Sequence, residues 1–202
     1  AKTDGMFNVA STCCYGNTLD AMKIKETWEE KEKELKDKHG KEDLEFIKKD
    51  WLLLDAKRLF LENSFDFTIE TVGVYSNFKL MELATSILIK KLYQSMELLK
   101  ANNDFIIDSD DTMDNCYTII LENEDYTVGK ILEYVLYSKY FLNKKVLNYV
   151  GFLKKHPHDT DSFIKISFKE MTSKDELLLM LDEGINESII IVNSIKDYFS
   201  EK

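Results

Sequence analysis

Between Cys116 and Phe141 the chain reads CYTIILENEDYTVGKILEYVLYSKYF. A β-rich run, Tyr117, Ile119, Ile120 and Leu121, meets an acidic patch of Glu122, Glu124 and Asp125. Thr127, Val128 and Gly129 then lead into Ile131, Leu132, Tyr134, Val135 and Leu136 at helical spacing. The pattern predicts a strand over 116–122, a turn over 123–126 and a helix over 127–142. Such a tight connection fixes the angle between strand and helix. Carboxylates ahead of a helix complement the positive end of its dipole, at about 0.3–1 kcal/mol each. Thr127 is read as an N-cap or first-turn residue. Gly129 leaves room for a close approach by another backbone or side chain. The corner reads as a docking helix braced by its own strand.

The segment beyond this corner supports an antiparallel sheet. LNYVGFLKKHPHDTDSFIKISF predicts a hairpin, with one strand near 146–153 and a second over 162–169. Its turn carries Pro157, Asp159 and Asp161. A long helix is expected over 173–199, where Leu178, Leu181, Ile185, Ser188, Val192, Ile195 and Phe199 recur at steps of three and four. That seam is expected to bury against a helix at 78–99, or against that helix's missing partner; the 78–99 helix is marked by Met81, Ala84, Leu88, Leu92, Ser95, Met96 and Leu99 and capped by Ser76 or Asn77. SFDFTIETVGVYS alternates strictly and predicts a half-buried strand ending at Gly73. Residues 6–15 predict another strand, ended by Gly16 and Asn17. The block 20–50 is dominated by Glu and Lys. It predicts two solvated helices broken at Gly40, with Trp28, Leu35, Leu44 and Phe46 as anchors. Residues 51–62 fit either a helix or a strand. DFIIDSDDTMDN, over 104–115, reads as an acidic joint between two halves, each containing a strand followed by a helix.

Composition narrows the function classes. A net charge of −10 over 202 residues argues against a nucleic-acid backbone as the main partner. No window is apolar enough for a transmembrane helix. Cys13 and Cys14 are adjacent, a poor geometry for bridging each other, and with Cys116 they fit small buried side chains in a reducing compartment. His156 and His158 flank Pro157 without partner ligands at a metal-binding spacing. There is no Gly-x-Ser-x-Gly elbow and no glycine-rich phosphate loop. A carboxylate–metal enzyme would need an ion at Glu122, Glu124 or Asp125. The expectation is no catalytic residue, no metal, no cofactor and no small-molecule substrate.

The corner also resembles a known family. ENEDYTVGKIL (122–132) looks like the acidic–Asp–His–Thr–Leu–Gly–Asn–Leu–Leu corner of the dimerisation module of multisubunit RNA polymerases, shared by the eukaryotic eleventh subunit, its archaeal counterpart and bacterial alpha. VGFLKKHPHDTDSFIKISF resembles that subunit's Ala-Gly-Tyr-x-x-Pro-His-Pro segment, with Gly151, Phe152, His156 and Pro157 matching. FDFTIETVGVYS followed by a helix resembles the third subunit's Phe-x-Phe-x-Val-Glu-Ser-x-Gly segment, and AKTDGMFNVASTCCY resembles the end of its inserted domain. Lys130 and Glu133 stand where the family carries Asn and Arg.

The resemblance implies an α+β chain in which two halves of the alpha-like module are fused, with antiparallel sheets packed on long helices. Residues 1–103 would be third-subunit-like with a charged insertion near 20–50, 104–115 the linker, and 116–202 eleventh-subunit-like. Such fusions occur in large nucleocytoplasmic DNA viruses. The implied role is a non-catalytic scaffold joining the two large catalytic subunits, with small accessory subunits as further partners. Neither nucleic acid nor membrane is expected to bind directly. Its place would be the cytoplasmic viral factory and virion if viral, otherwise the nucleus. The implied interface is Tyr126, Thr127, Gly129, Lys130, Glu133, Gly151, Phe152 and His156, together with Leu178, Leu181, Ile185, Val192 and Ile195. On the same reading the parent protein is expected to extend upstream by a strand, a helix and most of an inserted domain. The competing reading is a helix-mediated adaptor unrelated to transcription.

Overall fold

The alternating segments on either side of the charged block pair with each other. β1 (Ala10–Leu19) and β2 (Phe60–Thr71) form an antiparallel ribbon with Cys13 opposite Ile69, Tyr15 opposite Phe67 and Asn17 opposite Phe65. This is seen in a computed structural model that describes residues 4–36, 40–109 and 113–200. β1 begins later than expected, because residues 5–7 form a short 3₁₀ turn in which the Met6 N–H donates to the Asp4 carboxylate at 2.8 Å. It also continues through Gly16 and Asn17 to Leu19, since continuous pairing with β2 outweighs the local turn preference of those two residues. β2 is mostly exposed rather than half-buried: Tyr15 packs edge-on against Phe65 and tilted over Phe67, on a face that stays open. The strand stops before Gly73, whose φ of 97° lies in the left-handed region that only glycine adopts without strain.

The charged block is a helical hairpin, α1 (Ala21–Lys36) and α2 (Lys41–Leu53), separated at Gly40 as expected. Asp20 caps α1 by accepting from the Lys23 N–H at 3.0 Å. A small core holds the hairpin: Trp28 and Trp51 meet at 5.4 Å between ring centroids, with Ala56, Ile24, Ile47 and Leu59 around them. Lys48 lies over the Trp28 ring and Lys31 over Trp51. Phe46 is not an anchor; it is 73% exposed. Leu44, Ile47 and Trp51 fall three and four residues apart on the inner face, and Phe46 points more than about a third of a turn away. Leu35 and Leu44 are half-buried. Residues 51–62 resolve into the end of α2, a 3₁₀ turn at Asp55–Arg58 and the start of β2.

The chain divides into two units, residues 1–77 and 78–202. The long helix α3 (Asn77–Ala101) therefore lies almost wholly in the second unit, and the division precedes it instead of falling in the acidic segment 104–115. Part of that segment is ordered as an edge strand, β3 (Ile106–Asp108), because Ile106 can bury opposite Ile119. Residues 110–112 lie outside the described residues.

In the second unit β3, β4 (Cys116–Leu121), β6 (Ser162–Phe168) and β5 (Leu147–Leu153) form, in that order, an antiparallel four-stranded sheet. α4 (Tyr126–Leu136) and α5 (Lys174–Ser200) complete an α+β layer pair with α3. Register puts Ile119, Ile164 and Phe152 in one cross-strand row and Tyr117, Ile166 and Val150 in the next. These rows pack under Leu92, Met96 and Leu99 of α3, Val128, Leu132 and Leu136 of α4, and Leu177, Leu181, Ile185 and Ile189 of α5. Each such buried aliphatic contributes about 1.5–3 kcal/mol. α3 and α5 run antiparallel: Lys100 pairs with Asp182 at 2.7 Å near one end, and Phe78 meets Phe199 near the other.

The expected helix over 127–142 is two pieces. After α4 the chain continues as a π-helix, Tyr137–Asn143. The wider i→i+5 turn is seen where the Lys144 N–H donates to the Lys139 carbonyl at 2.9 Å. It turns Tyr140 inward, where its hydroxyl donates to Glu183 of α5 at 2.6 Å. Lys139 reaches both Glu183 and Glu187, and Lys144 reaches Glu183. Burial, reinforced by the hydrogen bond to Glu183 and its charge, holds the Tyr140 phenol well above its usual pKa. The Tyr140 hydrogen bond, then that of Lys139, lowers Glu183 below the usual carboxylate range.

A depressed carboxylate pKa contributes stability that is present above the unfolded value, about 4.3 for Glu, and lost as pH falls through the folded one. Tyr140→Phe is therefore expected to lower the melting temperature at neutral pH. The gap between mutant and parent should narrow as pH falls towards about 3.5, as followed by circular dichroism. A gap unchanged by pH would place the hydroxyl's contribution elsewhere.

Candidate functional site

The corner between β4 and α4 is built by short-range capping. Asn123 sits at φ 56°, and its N–H donates to Asp161 at 2.9 Å, which ties the turn to the start of β6. Asp125 is the N-cap in extended geometry, and its carboxylate accepts from the Tyr126 N–H at 2.8 Å. Thr127 is thus a first-turn residue and not the cap. Glu124 takes both hydrogen bonds from Lys91 of α3, at 2.7 and 2.9 Å. Glu124 and Asp125 are accordingly engaged in bracing and capping, and among the described residues no group of three or more metal-ligating side chains is arranged to hold an ion.

β5 runs back along α4 and lays Phe152 on it. A Cβ on Gly129 would come within 2.0 Å of the Phe152 ring. The bare glycine is therefore what lets strand and helix approach, as the sequence suggested. Tyr126 packs on the ring at 5.3 Å, and Lys130 stands over it at 5.6 Å. Glu133 accepts the Phe152 N–H at 3.0 Å and pairs with Lys130. Lys154, just past the end of β5, pairs with Asp125 at 3.1 Å. Tyr126, Gly129, Lys130, Glu133 and Phe152 thus form one contiguous arrangement. Glu133, at a position where the family resemblance would place arginine, satisfies a backbone amide of β5.

The remaining expected residues are distributed differently. Thr127 faces a groove lined by Ala84, Thr85, Ile87 and Leu88 of α3. Gly151 is buried on the opposite sheet face under the tip of Tyr149. His156 bonds within its own turn: its N–H donates to Asp159 at 3.0 Å, and its ring stacks on His158. Leu181, Ile185 and Val192 are buried in α5, Leu178 is half-buried, and Ile195 is 42% exposed. Leu177, Met180, Gly184 and Ile189 also carry the buried seam, with Gly184 against Leu136 of α4. The spacing of three and four was readable. The identity of the facing helix, α4 as well as α3, was not.

Sequence reasoning named Tyr126, Lys130 and Glu133 on the exposed side of α4 but missed Tyr134 and Tyr137. Tyr126, Lys130, Glu133, Tyr134 and Tyr137 lie on one stripe, and Tyr134 is 68% exposed. Tyr137 stacks on Phe141 at 4.9 Å and continues the stripe along the π-helix. The signal was present as tyrosines on the face opposite Val128, Leu132 and Val135. Among the described residues no helix is long and apolar enough to cross a membrane. No protein-family model matches the chain, and no curated protein matches it.

Proposed function

We propose that this chain is a non-catalytic assembly subunit of a multisubunit DNA-directed RNA polymerase, combining third- and eleventh-subunit-like halves and holding the two large catalytic subunits together. The observation that carries the reading is the β4–α4 corner. A strand, an acidic turn and a helix are locked to the next hairpin by Phe152 seated on Gly129, and a long helix follows. The corner is tightly braced and presents an aromatic face outward, and its Glu124 and Asp125 carboxylates are spent on an ion pair and a cap, which suits scaffolding rather than catalysis. Large catalytic subunits and small accessory subunits are the partners in this reading; nucleic acid, membrane and small molecules are not. Its location would be the viral factory and virion of a large DNA virus, or otherwise the nucleus.

The same exposed aromatic face also fits a helix-mediated adaptor outside transcription. Affinity isolation of the tagged full chain from its natural source, followed by mass spectrometry, separates the two. The polymerase reading expects both large subunits in the eluate. An eluate holding a different defined partner without polymerase subunits supports the adaptor.

A further inference from the structure

We propose that the exposed stripe of α4 and the π-helix docks an acidic protein segment with an apolar centre. The inference rests on the reading of the α4–β5 corner as the partner-facing surface, and adds the chemistry of what it meets. Within a chain of net charge −10, residues 126–158 hold six lysines and a single acidic residue, Glu133. Four of these lysines lie at the two ends of the stripe. Because β5 runs antiparallel to α4, Lys144 and Lys145 gather at the helix's C-terminal end, while Lys154 and Lys155 gather beside its N-terminus, where Lys154 pairs with Asp125. Between them lie Tyr126, Tyr134 and Tyr137, each exposed, with Leu142 beyond. Tyrosine is enriched at the centres of protein interfaces because it buries a large rigid face and keeps a polar tip.

The fold neutralises only part of the positive charge. Lys130 pairs with Glu133, Lys139 with Glu183 and Glu187, Lys144 with Glu183, and Lys154 with Asp125. Lys145 and Lys155 make no ion pair among the described residues; Lys155 lies over the Phe163 ring. Four carboxylates therefore face six lysines, and the two unpaired ones stand at opposite ends of the stripe. Lys145 and Lys155 lie two residues outside either end of β5, whose seven residues span about 23 Å at about 3.3 Å per residue. A nucleic-acid backbone carries a phosphate on every nucleotide and calls for a continuous row of cations. Here the middle of the stripe offers only Lys130, paired with Glu133, and Lys139, held by two glutamates of α5. An acidic protein segment with carboxylates at both ends and apolar residues between fits better.

Binding to the full chain is measured by fluorescence anisotropy with a labelled peptide carrying acidic triplets on either side of about seven uncharged residues centred on Phe and Leu. The comparison probes are the same peptide with lysine triplets and a single-stranded RNA. The acidic peptide is expected to bind, and the lysine peptide and the RNA are not. The double variants Lys145→Glu/Lys155→Glu and Tyr134→Ala/Tyr137→Ala should each weaken the acidic peptide by roughly tenfold or more. The charge reversal should in turn admit the lysine peptide. All four positions are exposed or only half-buried, and unchanged circular dichroism and melting exclude misfolding.

The proposal is overturned by no binding of the acidic peptide, by equal binding of both peptides, or by preference for RNA. It is overturned separately from the polymerase reading if the full chain assembles with the large polymerase subunits and the Lys145→Glu/Lys155→Glu chain assembles equally well. Peptide binding without polymerase assembly leaves the docking face standing and removes the polymerase.

Discussion

Ile185→Asp is expected to unfold the second unit. The side chain is 1% exposed in a cluster that joins α5 to α3, α4 and the sheet, and no described cation lies in that cluster to receive a carboxylate. Burying an unpaired charge there, together with the lost packing, costs more than about 4 kcal/mol. That is comparable with the whole stability of an ordinary domain, about 5–15 kcal/mol. Urea denaturation followed by far-UV circular dichroism should show the second unit's transition shifted to low denaturant or absent. Both tryptophans, Trp28 and Trp51, belong to the first unit. Their emission is expected to remain close to that of the parent, so the lesion can be assigned to one unit. A variant that melts like the parent would mean that α5 does not pack as described.

At Gly129 an added methyl group puts a carbon about where the Phe152 ring now lies, at 2.0 Å. The ring must leave, losing its contact with Tyr126 and straining the Glu133 bond to its amide. Gly129→Ala should cost about 1–3 kcal/mol through overpacking, even though alanine is the better helix former by about 1 kcal/mol. In a Phe152→Ala background the clash is gone, and the same substitution should become neutral or stabilise by up to about 1 kcal/mol. The sign change in a double-mutant cycle, read from urea denaturation, isolates the helix–strand contact from any general intolerance of α4. Equal costs in both backgrounds would remove the Phe152–Gly129 contact as the reason for glycine.

Much of the second unit was legible because its signals are local. The β4 run, the acidic turn, the 162–168 alternation and the period of α5 each depend on neighbours within a few residues, and each element falls within a residue or two of expectation. Gly129 was legible for the same reason, as a glycine in a helix with a strand due to return. What was not legible depended on partners distant in sequence. The change from α- to π-helix at Tyr137 accompanies Tyr140 and Lys139 meeting glutamates of α5 far along the chain. β3 forms inside an acidic segment because β4 offers an open edge and Ile106 a buried place. α3 joined the second unit although β2 precedes it closely, since its apolar face, Leu92, Met96 and Leu99, finds its complement in the later sheet. Phe46 and Trp51 compete for one small core, and helical phase decides for Trp51.

The α4–β5 corner connects the packing to function. Its buried side explains Gly129, Glu133 and Phe152 as parts of one brace, and its exposed side leaves Tyr134 and Tyr137 open to solvent. The polymerase reading stands or falls on the composition of the complex formed by the full chain, isolated from its source under native conditions and weighed by native mass spectrometry, with Tyr134→Ala/Tyr137→Ala alongside. The parent chain should be recovered with both large RNA polymerase subunits in equal copy number, and the variant, though folded, should lose them. A parent chain recovered alone or with an unrelated partner would refute the reading; a variant that retains the large subunits in full would leave the reading standing and remove the tyrosine stripe as their contact.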